Sequence, residues 1–473
     1  MYFKMGIGLA LFFGCAKASS WSGEVIYQIM PDRFYNGDSS NNTGMDVSDP
    51  LGWHGGDLAG IVQKLPYIQK LGATAIWLTP IYVQPKNAQF GTQGYHGYWP
   101  YDLKAIDPHF GTLEDFKVLV KSAHSLGLRV ILDQVINHFG YGAPQVADHP
   151  DWFHKSPSCL NLGNAEVNCP LAGLPDLAQE NPEVERFLRE NQKFWSDLGV
   201  DGFRYDALKH VPKTFIQKLL LDSQSEDRFT LGEVFVSSPE VLAEYQALGL
   251  DSIFDFPLQE AMVHAIMEGR SLEVVRNVLS KDRVYPRPLD VATFLENHDV
   301  PRFASRAPLL SESARFERLA YGLRALMTLR GIPVVYQGLE IGMQGGTDPD
   351  NRRDMRFEET WNPNERRLFE VVQSAISARR ASSALSEGKQ SNVAVPPYLA
   401  DRLLLFTRES QGEKMLVVWH SGSERTTFSI PFSDQWKPAR DAFGQDAKMG
   451  TSGGFLHLSI PPKTAVAFRT VSR

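Results

Sequence analysis

The chain has 473 residues, 43% hydrophobic and 22% charged, and carries a formal charge of −7 at pH 7. That length suits a large globular domain with a smaller one beside it, and mild acidity without a basic run excludes a nucleic-acid-binding surface. The apolar run near the N-terminus, residues 7–13, is too short to span a bilayer.

Lys4, that apolar run and Ala16-Lys17-Ala18 read as an export signal over residues 1–18, cleaved after Ala18. A secreted or periplasmic location is expected; the second reading is a lipid anchor on Cys15, for which Phe12 is a poor match to the usual leucine. Cleavage would leave Cys159 and Cys169, a candidate disulfide in an exported protein or else two reduced thiols. Residues 24–29 read as a first strand, with no further domain expected before it. Asn36, Asp38, Asn41 and Asn42, then Gly55 and Asp57, crowd the next loop with hard oxygen donors suited to calcium. The same residues also favour plain turns. Residues 58–71 carry a helical pattern around Pro66, and 74–79 read as a second strand. The loop after it holds His96, Tyr98 and Trp99, and a helix over 112–126 opens at a threonine cap.

Residues 129–132 form an apolar run closing on Asp133, Asn137 and His138. The chain then leaves for a lobe that ends near Leu174-Pro175-Asp176-Leu177, and a helix over 181–198 follows with proline in its first turn. The strand at 199–203 runs out to Arg204 and Asp206, two apart and so on one side. An arginine there holds the carboxylate ionised and oriented, as a nucleophile requires, although alone it is more readily a surface ion pair. Residues 229–233 end on Glu233, 251–255 form a sixth strand, and 291–296 lead into Asn297-His298-Asp299. A helix over 313–329 precedes an eighth strand at 332–336.

Unbroken apolar runs separated by helices fit a parallel sheet covered on both faces. Polar groups gathered at the C-terminal tips of such strands point to an active site on a (β/α)8 barrel, an α/β fold. After Leu385, runs at 403–407, 415–419 and 464–468 alternate with no helices and read as a C-terminal antiparallel β-domain, with no further module expected after it. The expected organisation is barrel over 19–138 and 181–385, inserted lobe over 139–180, and β-domain over 386–473.

Five segments, D-Q-V-I-N-H at 133–138, L-P-D-L at 174–177, G-F-R-Y-D-A-L-K-H at 202–210, G-E-V-F at 232–235 and F-L-E-N-H-D at 294–299, stand in one order. In that order and spacing the chain resembles glycoside hydrolase family 13, the α-amylase family, over nearly all its length after the first twenty residues. The resemblance implies Asp206 as nucleophile, Glu233 as general acid/base and Asp299 as the third carboxylate, orienting ring hydroxyls. Retention of configuration needs the first two about 5 Å apart. It implies that Tyr98 stacks on a sugar, that His96, His138 and His298 bond its hydroxyls, and that Arg204 orients Asp206. Lys209, His210 and Phe235 would line the leaving-group side, and Asp348 with Arg352 the non-reducing side.

One or two Ca2+ ions are also implied. Asn36, Asp38, Asn41, Asn42, Gly55 and Asp57 are similar to a calcium loop in cyclodextrin glucanotransferases and cyclomaltodextrinases. Asn137, Asp176 and the backbone carbonyl of His210 would form a second site tying the lobe to the barrel. The expected activity is retaining, endo-acting hydrolysis of α-1,4-glucosidic bonds in starch and maltooligosaccharides by a monomer. Other readings stay open. Residues 299–303 and 151–154 are similar to cyclomaltodextrinases, maltogenic amylases and 4-α-glucanotransferases, whereas L-P-D-L resembles the amylase and glucanotransferase form. A catalytically dead sugar-binding relative is disfavoured by the three carboxylates and Arg204. Val234, where glucanotransferases carry an aromatic, and the short lobe favour water over a sugar as the acceptor.

Overall fold

The computed structural model describes residues 21–155, 165–431 and 440–470. The expected export signal with Cys15, and Cys159 of the expected disulfide, lie outside the described residues; Cys169 is half-buried.

Eight parallel strands carry the fold: β1 (Ile26–Ile29), β2 (Ala75–Leu78), β3 (Arg129–Gln134), β4 (Gly202–Tyr205), β5 (Phe229–Gly232), β6 (Ser252–Ile253), β7 (Ala292–Thr293) and β8 (Ile332–Tyr336). They lie in the order β6-β5-β4-β3-β2-β1-β8-β7, and a parallel bridge between Phe254 and Ala292 joins the two ends into a barrel. Successive side chains on a strand point to opposite faces, so each strand divides its residues between two cores. Ile26, Ala75, Trp77, Ile131, Phe229 and Leu231 fill the interior, with Trp21 stacked on Phe229 at 4.2 Å at the N-terminal end. Tyr27, Ile76, Val130, Leu132 and Phe203 face the surrounding helices. Both sets must be apolar, which is why these strands read as unbroken apolar runs.

Side-chain caps fix where the helices start. The Asp57 side chain accepts from Gly60 N at the head of Leu58–Leu71, Thr112 and Asp115 form a capping box for Leu113–Ser125, and Asn181 caps Pro182–Asp197. Two excursions rise from the C-terminal ends of the strands. After β2 a hairpin pairs Tyr82–Val83 with Asp102–Ile106, an element the sequence reading did not anticipate. After β3 the lobe holds short helices Gln145–Asp148 and Ala165–Asn168 and returns through the bridges His138–Asp176 and Phe153–Leu177.

The C-terminal region forms two antiparallel sheets, one holding Leu403–Ser410, Glu413–His420 and Thr464–Thr470, the other Thr426–Pro431, Lys448–Ser452 and Phe455–Ile460. It docks where the helix Glu312–Thr328 ends. Buried Arg379 donates to the carbonyls of Met327 and Leu329, buried Arg408 to that of Thr328, and Trp419 Nε1 to Thr328 Oγ1. Cations at a helix C-terminus meet its partial negative charge, so the junction satisfies carbonyls that the helix leaves open. Among the described residues no helix is long and apolar enough to cross a membrane.

Removing the ring that fills the barrel's N-terminal end should be costly. Trp21→Ala is expected to lower unfolding stability by about 3 kcal/mol, as for other buried aromatic truncations. A lower urea midpoint at unchanged slope would show it.

Candidate active site

The inward parity that fills the barrel continues past its apolar layer into polar residues. On β3 it passes from Ile131 to Asp133, on β4 from Gly202 to Arg204 and then Asp206, and from Leu231 of β5 to Glu233. The register sets Asp133 directly across from Arg204. Arg204 Nη1 reaches Asp133 Oδ1 at 2.8 Å and Asp206 Oδ1 at 2.8 Å, while Nη2 meets Glu233 Oε2 at 2.8 Å. Glu233 Oε2 also accepts from Ala207 N at 3.0 Å. The guanidinium is 1% exposed and the two outer carboxyl residues, Asp206 and Glu233, 9% each, so the cluster meets solvent only at its rim. Trp77 and Tyr98 flank the cation, with their ring centres at 5.2 and 5.8 Å.

Asp133 carries the weight beneath. It is buried, and it also accepts from Tyr98 OH at 2.9 Å and Trp77 Nε1 at 3.1 Å. The motif at 133–138 displays this residue, but the sequence reading gave it no role. Its signal was the matched parity of Asp133 and Arg204 on neighbouring strands. Burial pushes the Asp133 carboxyl up to about 6, against the pull of Arg204. Burial also drives Asp206 well above the usual carboxylate range; Arg204 opposes this, and Glu233, Asp133 and Asp299 reinforce it. For Arg204 burial works against the charge, but Asp133, Tyr98, Glu233 and Asp206 outweigh it and hold the cation.

Asp299 completes the ring from the tip after β7. Asn297 Oδ1 accepts from the backbone of Asp299 and Val300 and fixes the turn, and Arg352 Nη2 reaches Asp299 Oδ1 at 3.4 Å. Arg352 Nη1 pairs with Asp348 at 3.1 Å, so the expected Asp348–Arg352 pair is formed and leans on Asp299. Gln28 Nε2 lies 2.7 Å from His298 Nδ1 and donates to it, which leaves the imidazole proton on Nε2, facing Asp299 Oδ2 at 3.3 Å. Tyr98 stacks on His298 at 5.1 Å and 3°, and His96 Nδ1 accepts from Tyr98 N at 3.0 Å. Burial lowers His96 and His298 well below the usual histidine range, with Arg352 adding to both, so each is a neutral donor.

Some expected contacts are differently employed. His138 sits under the same site, but Nε2 donates to the Tyr98 carbonyl at 3.1 Å and Nδ1 faces Asn137 Nδ2 at 3.3 Å, so its ring fastens the Tyr98 segment. Burial lowers it to about 4. Lys209 pairs with Glu166 at 2.6 Å, and His210 Nδ1 donates to the Glu166 carbonyl at 2.8 Å, so both clasp the lobe. Val234 is fully buried and cannot face the leaving-group side, whatever its size. Phe235 is 57% exposed, its ring tilted against that of Phe256 at 4.4 Å beside a cavity of about 410 Å³ reaching Gln259, Val300 and Arg306.

The expected calcium ligands can be judged by their free lone pairs. Asn137 Oδ1 and Asp176 Oδ1 are buried acceptors with no hydrogen-bond donor, and the other Asp176 oxygen takes His154 Nδ1 at 2.6 Å. Buried oxygens left in this way fit a hard cation. In the first loop Asn41 Oδ1 is likewise unmatched, and Gly55 lies close enough to Asn36 and Asn42 that a Cβ there would meet both within 2.7 Å. The Asp57 carboxylate, by contrast, accepts from Gly60 N, Asp38 N and Gly37 N, and Asp38 Oδ1 accepts from Ser40 N. Among the described residues no three His, Cys, Asp or Glu side chains gather as metal ligands, so any cation site here would combine at most two such side chains with amide and carbonyl oxygens.

The family description "Alpha amylase, catalytic domain" matches residues 28–160 and 167–380. The chain belongs to the α-amylase family. The crystal structure of an Anoxybacillus α-amylase aligns at a TM-score of 0.88 and 37% identity, over 96% of this chain and 99% of that one. A β/α-amylase of Paenibacillus polymyxa is 33% identical over 95% of this chain, which spans 38% of that relative's length. A cyclomaltodextrin glucanotransferase of Klebsiella oxytoca is 32% identical over 85% of this chain and 71% of its own.

Asp133 also makes a stability statement. Its carboxyl titrates near about 3.9 when unfolded and about 6 when folded, so it stabilises the native state fully at low pH and withdraws that support as pH rises through 6. The melting-temperature advantage of wild type over Asp133→Asn should therefore narrow between pH 4 and 7. An advantage that widened over this range would mean that the ion pair with Arg204 outweighs burial.

Proposed function

We propose that this protein is a retaining, endo-acting glycosidase that hydrolyses α-1,4-glucosidic bonds in starch and maltooligosaccharides. The observation that carries this reading is one guanidinium touching both Asp206 and Glu233, at the open end of the barrel, with Asp299 opposite. Two carboxyls on neighbouring nitrogens of one fork suit the separation of about 5 Å used for retention. Arg204 favours the ionised form of Asp206 that a nucleophile needs, against the burial that opposes it.

In this reading Asp206 attacks the anomeric carbon while Glu233 protonates the leaving oxygen, giving a glycosyl-enzyme. Glu233 then takes a proton from water as that water attacks. Asp299 and the neutral His298 and His96 grip ring hydroxyls, and their hold strengthens as the ring flattens toward the cationic transition state. Tyr98, fixed by Asp133 and His298, offers the sugar its face. An exported, monomeric enzyme fits so large a substrate.

The same centre serves a cyclomaltodextrinase, a maltogenic amylase or a 4-α-glucanotransferase, which differ in whether water or sugar takes the glycosyl group. The exposed Phe235 and the similarity to a glucanotransferase speak for a sugar acceptor; the short lobe speaks for water. We expect mainly linear maltooligosaccharides from amylose, with Asp206→Asn and Glu233→Gln each about a thousandfold slower or more yet still folded. Cyclodextrins as dominant early products would transfer the assignment to the glucanotransferases, and a variant keeping a tenth of the activity would undo its residue's role.

Ca2+ would sit between Asn137, Asp176 and the His210 carbonyl, supported by the two unmatched buried oxygens, and a second ion at Asn36, Asn41, Asn42 and Gly55. Its part would be to neutralise Asp176 and pin the lobe against the barrel. Chelation should lower the melting temperature and added Ca2+ restore it, since an ion bound only to the folded form stabilises it by mass action. An unchanged melting curve in chelator would remove both ions.

A further inference from the structure

The junction between the barrel and the C-terminal β-domain carries more positive charge than it pairs. Arg379 on the helix Pro363–Arg380, Arg408 on the strand Leu403–Ser410 and Arg330 just before β8 are each at most 1% exposed. Arg330 spans the carboxylates of Asp255 and Asp282 at 2.8 and 2.5 Å. Arg379 and Arg408 give their hydrogen bonds to carbonyls alone: Arg379 to Met327, Leu329, Gly331 and Ser386, Arg408 to Thr328 and Gly388. Among the described residues neither meets a carboxylate. Three guanidiniums against the two carboxylates that touch them leave one positive charge.

The two cations without a carboxylate are neighbours. Thr328 and Leu329 are adjacent and Ser386 and Gly388 stand two apart, so the Cα atoms whose carbonyls hold the two guanidiniums are no more than roughly 8 Å apart on either segment. Burial pushes Arg379 down to about 9 and Arg408 well below the usual arginine range, with Arg379 and Arg330 adding to the shift of Arg408. Neither guanidinium sheds its proton at neutral pH, so the charge has to be met by something else. The helix end at Thr328 supplies only about half a negative charge. Donors remain for the rest: Arg379 Nε, Arg408 Nη2 and Arg330 Nη1 are buried with no hydrogen-bond partner. Buried N–H groups left unmatched are rare and call for an acceptor.

We propose that this junction binds one small monovalent anion of the halide class, in practice chloride, against Arg379 Nε and Arg408 Nη2. Its single charge matches the surplus, and a monatomic ion accepts from N–H groups in any direction. A water would reach the same nitrogens but leave the charge unmet. A phosphate or carboxylate group is too large for packing in which Trp419 Nε1 already meets Thr328 Oγ1 at 2.9 Å. Because the ligands come from a barrel helix and a strand of the β-domain, the ion is held only while the two are docked, and it clasps them together. Arg330 precedes β8, so the site lies at the end of the barrel opposite the carboxyl cluster and takes no part in the chemistry at Asp206 and Glu233.

Chloride and bromide are the probes, and neither measurement depends on what the enzyme cleaves. At a constant ionic strength of about 0.2 M, exchanging sodium gluconate for sodium chloride should raise the melting temperature by about 2 °C along a saturating curve, since an ion bound only to the folded form stabilises it by mass action. Arg408→Met removes one ligand together with the surplus charge, and its melting temperature should be the same in both salts. Crystals of the wild-type protein grown in sodium bromide give a second reading that needs no variant: an anomalous peak within hydrogen-bond distance of Arg379 Nε and Arg408 Nη2. A water at that place, wild-type melting indifferent to the exchange, or an equal chloride response in Arg408→Met would each overturn the site.

Discussion

One guanidinium, buried at the mouth of the barrel, lets three carboxyls lie against one another. Taking a cation out of water costs several kcal/mol, and each carboxyl alone would cost as much; together they offset most of that. Lysine could not substitute, because a single ammonium cannot present two nitrogens in a plane to two carboxyls while lying between two rings. The arrangement depends on register. Asp133 faces Arg204 from the neighbouring strand, and both share the inward parity that brings in Asp206 from the tip of Arg204's own strand and Glu233 from the strand beside it. A slip of one residue in β3 would turn Asp133 outward and leave Arg204 short of a charge.

The opposite half of the site is held without a charge at its centre. Gln28 orients His298, His298 stacks under Tyr98, and the His298 carbonyl receives both Asn351 and Arg352. Beneath them the buried pair of Glu296 and Arg302 ties the tip of β7 to the loop after β8, since Arg302 also donates to the Asn351 carbonyl. Asp299 therefore hangs from a rigid frame while remaining more open than Asp206 or Glu233, with a side chain 31% exposed. That difference suits the parts proposed for these carboxyls. A group that grips hydroxyls must exchange water for sugar on every turnover, whereas a nucleophile gains from being kept dry.

Much of this was legible because barrel strands, buried on both faces, leave a double signal in the sequence: an apolar run and a polar tip. The cap at Thr112 was equally plain, being local chemistry, whereas Asp57 read as a calcium ligand and caps a helix instead. What escaped reading is non-local. Asp133 acts through a partner seventy-one residues away, and nothing in its own segment names that partner. The hairpin at Tyr82–Val83 and Asp102–Ile106 is too short for a strand pattern, and several strands of the C-terminal sheets, such as Lys389–Val393, expose most of their side chains. His138 was legible as a residue of the site but not as a fastener, because the carbonyl it holds belongs to Tyr98 on another loop.

The Val234 argument failed for a reason that bears on the whole family's chemistry. Glu233 continues the inward parity of β5, so Val234 must point the other way, into the packing between barrel and helices, and only Phe235 can return to the cleft. The barrel thus dictates which positions can face the carboxyl cluster, and its parity is indifferent to what the enzyme makes. Product choice is left to side chains on the excursions and strand-end loops, where packing does not constrain identity. Phe235, exposed beside its cavity, is such a position. In a site whose carboxyl cluster is locked by Arg204, changes of specificity have to come from there, because any change within the cluster would disturb the charge balance that keeps the centre buried.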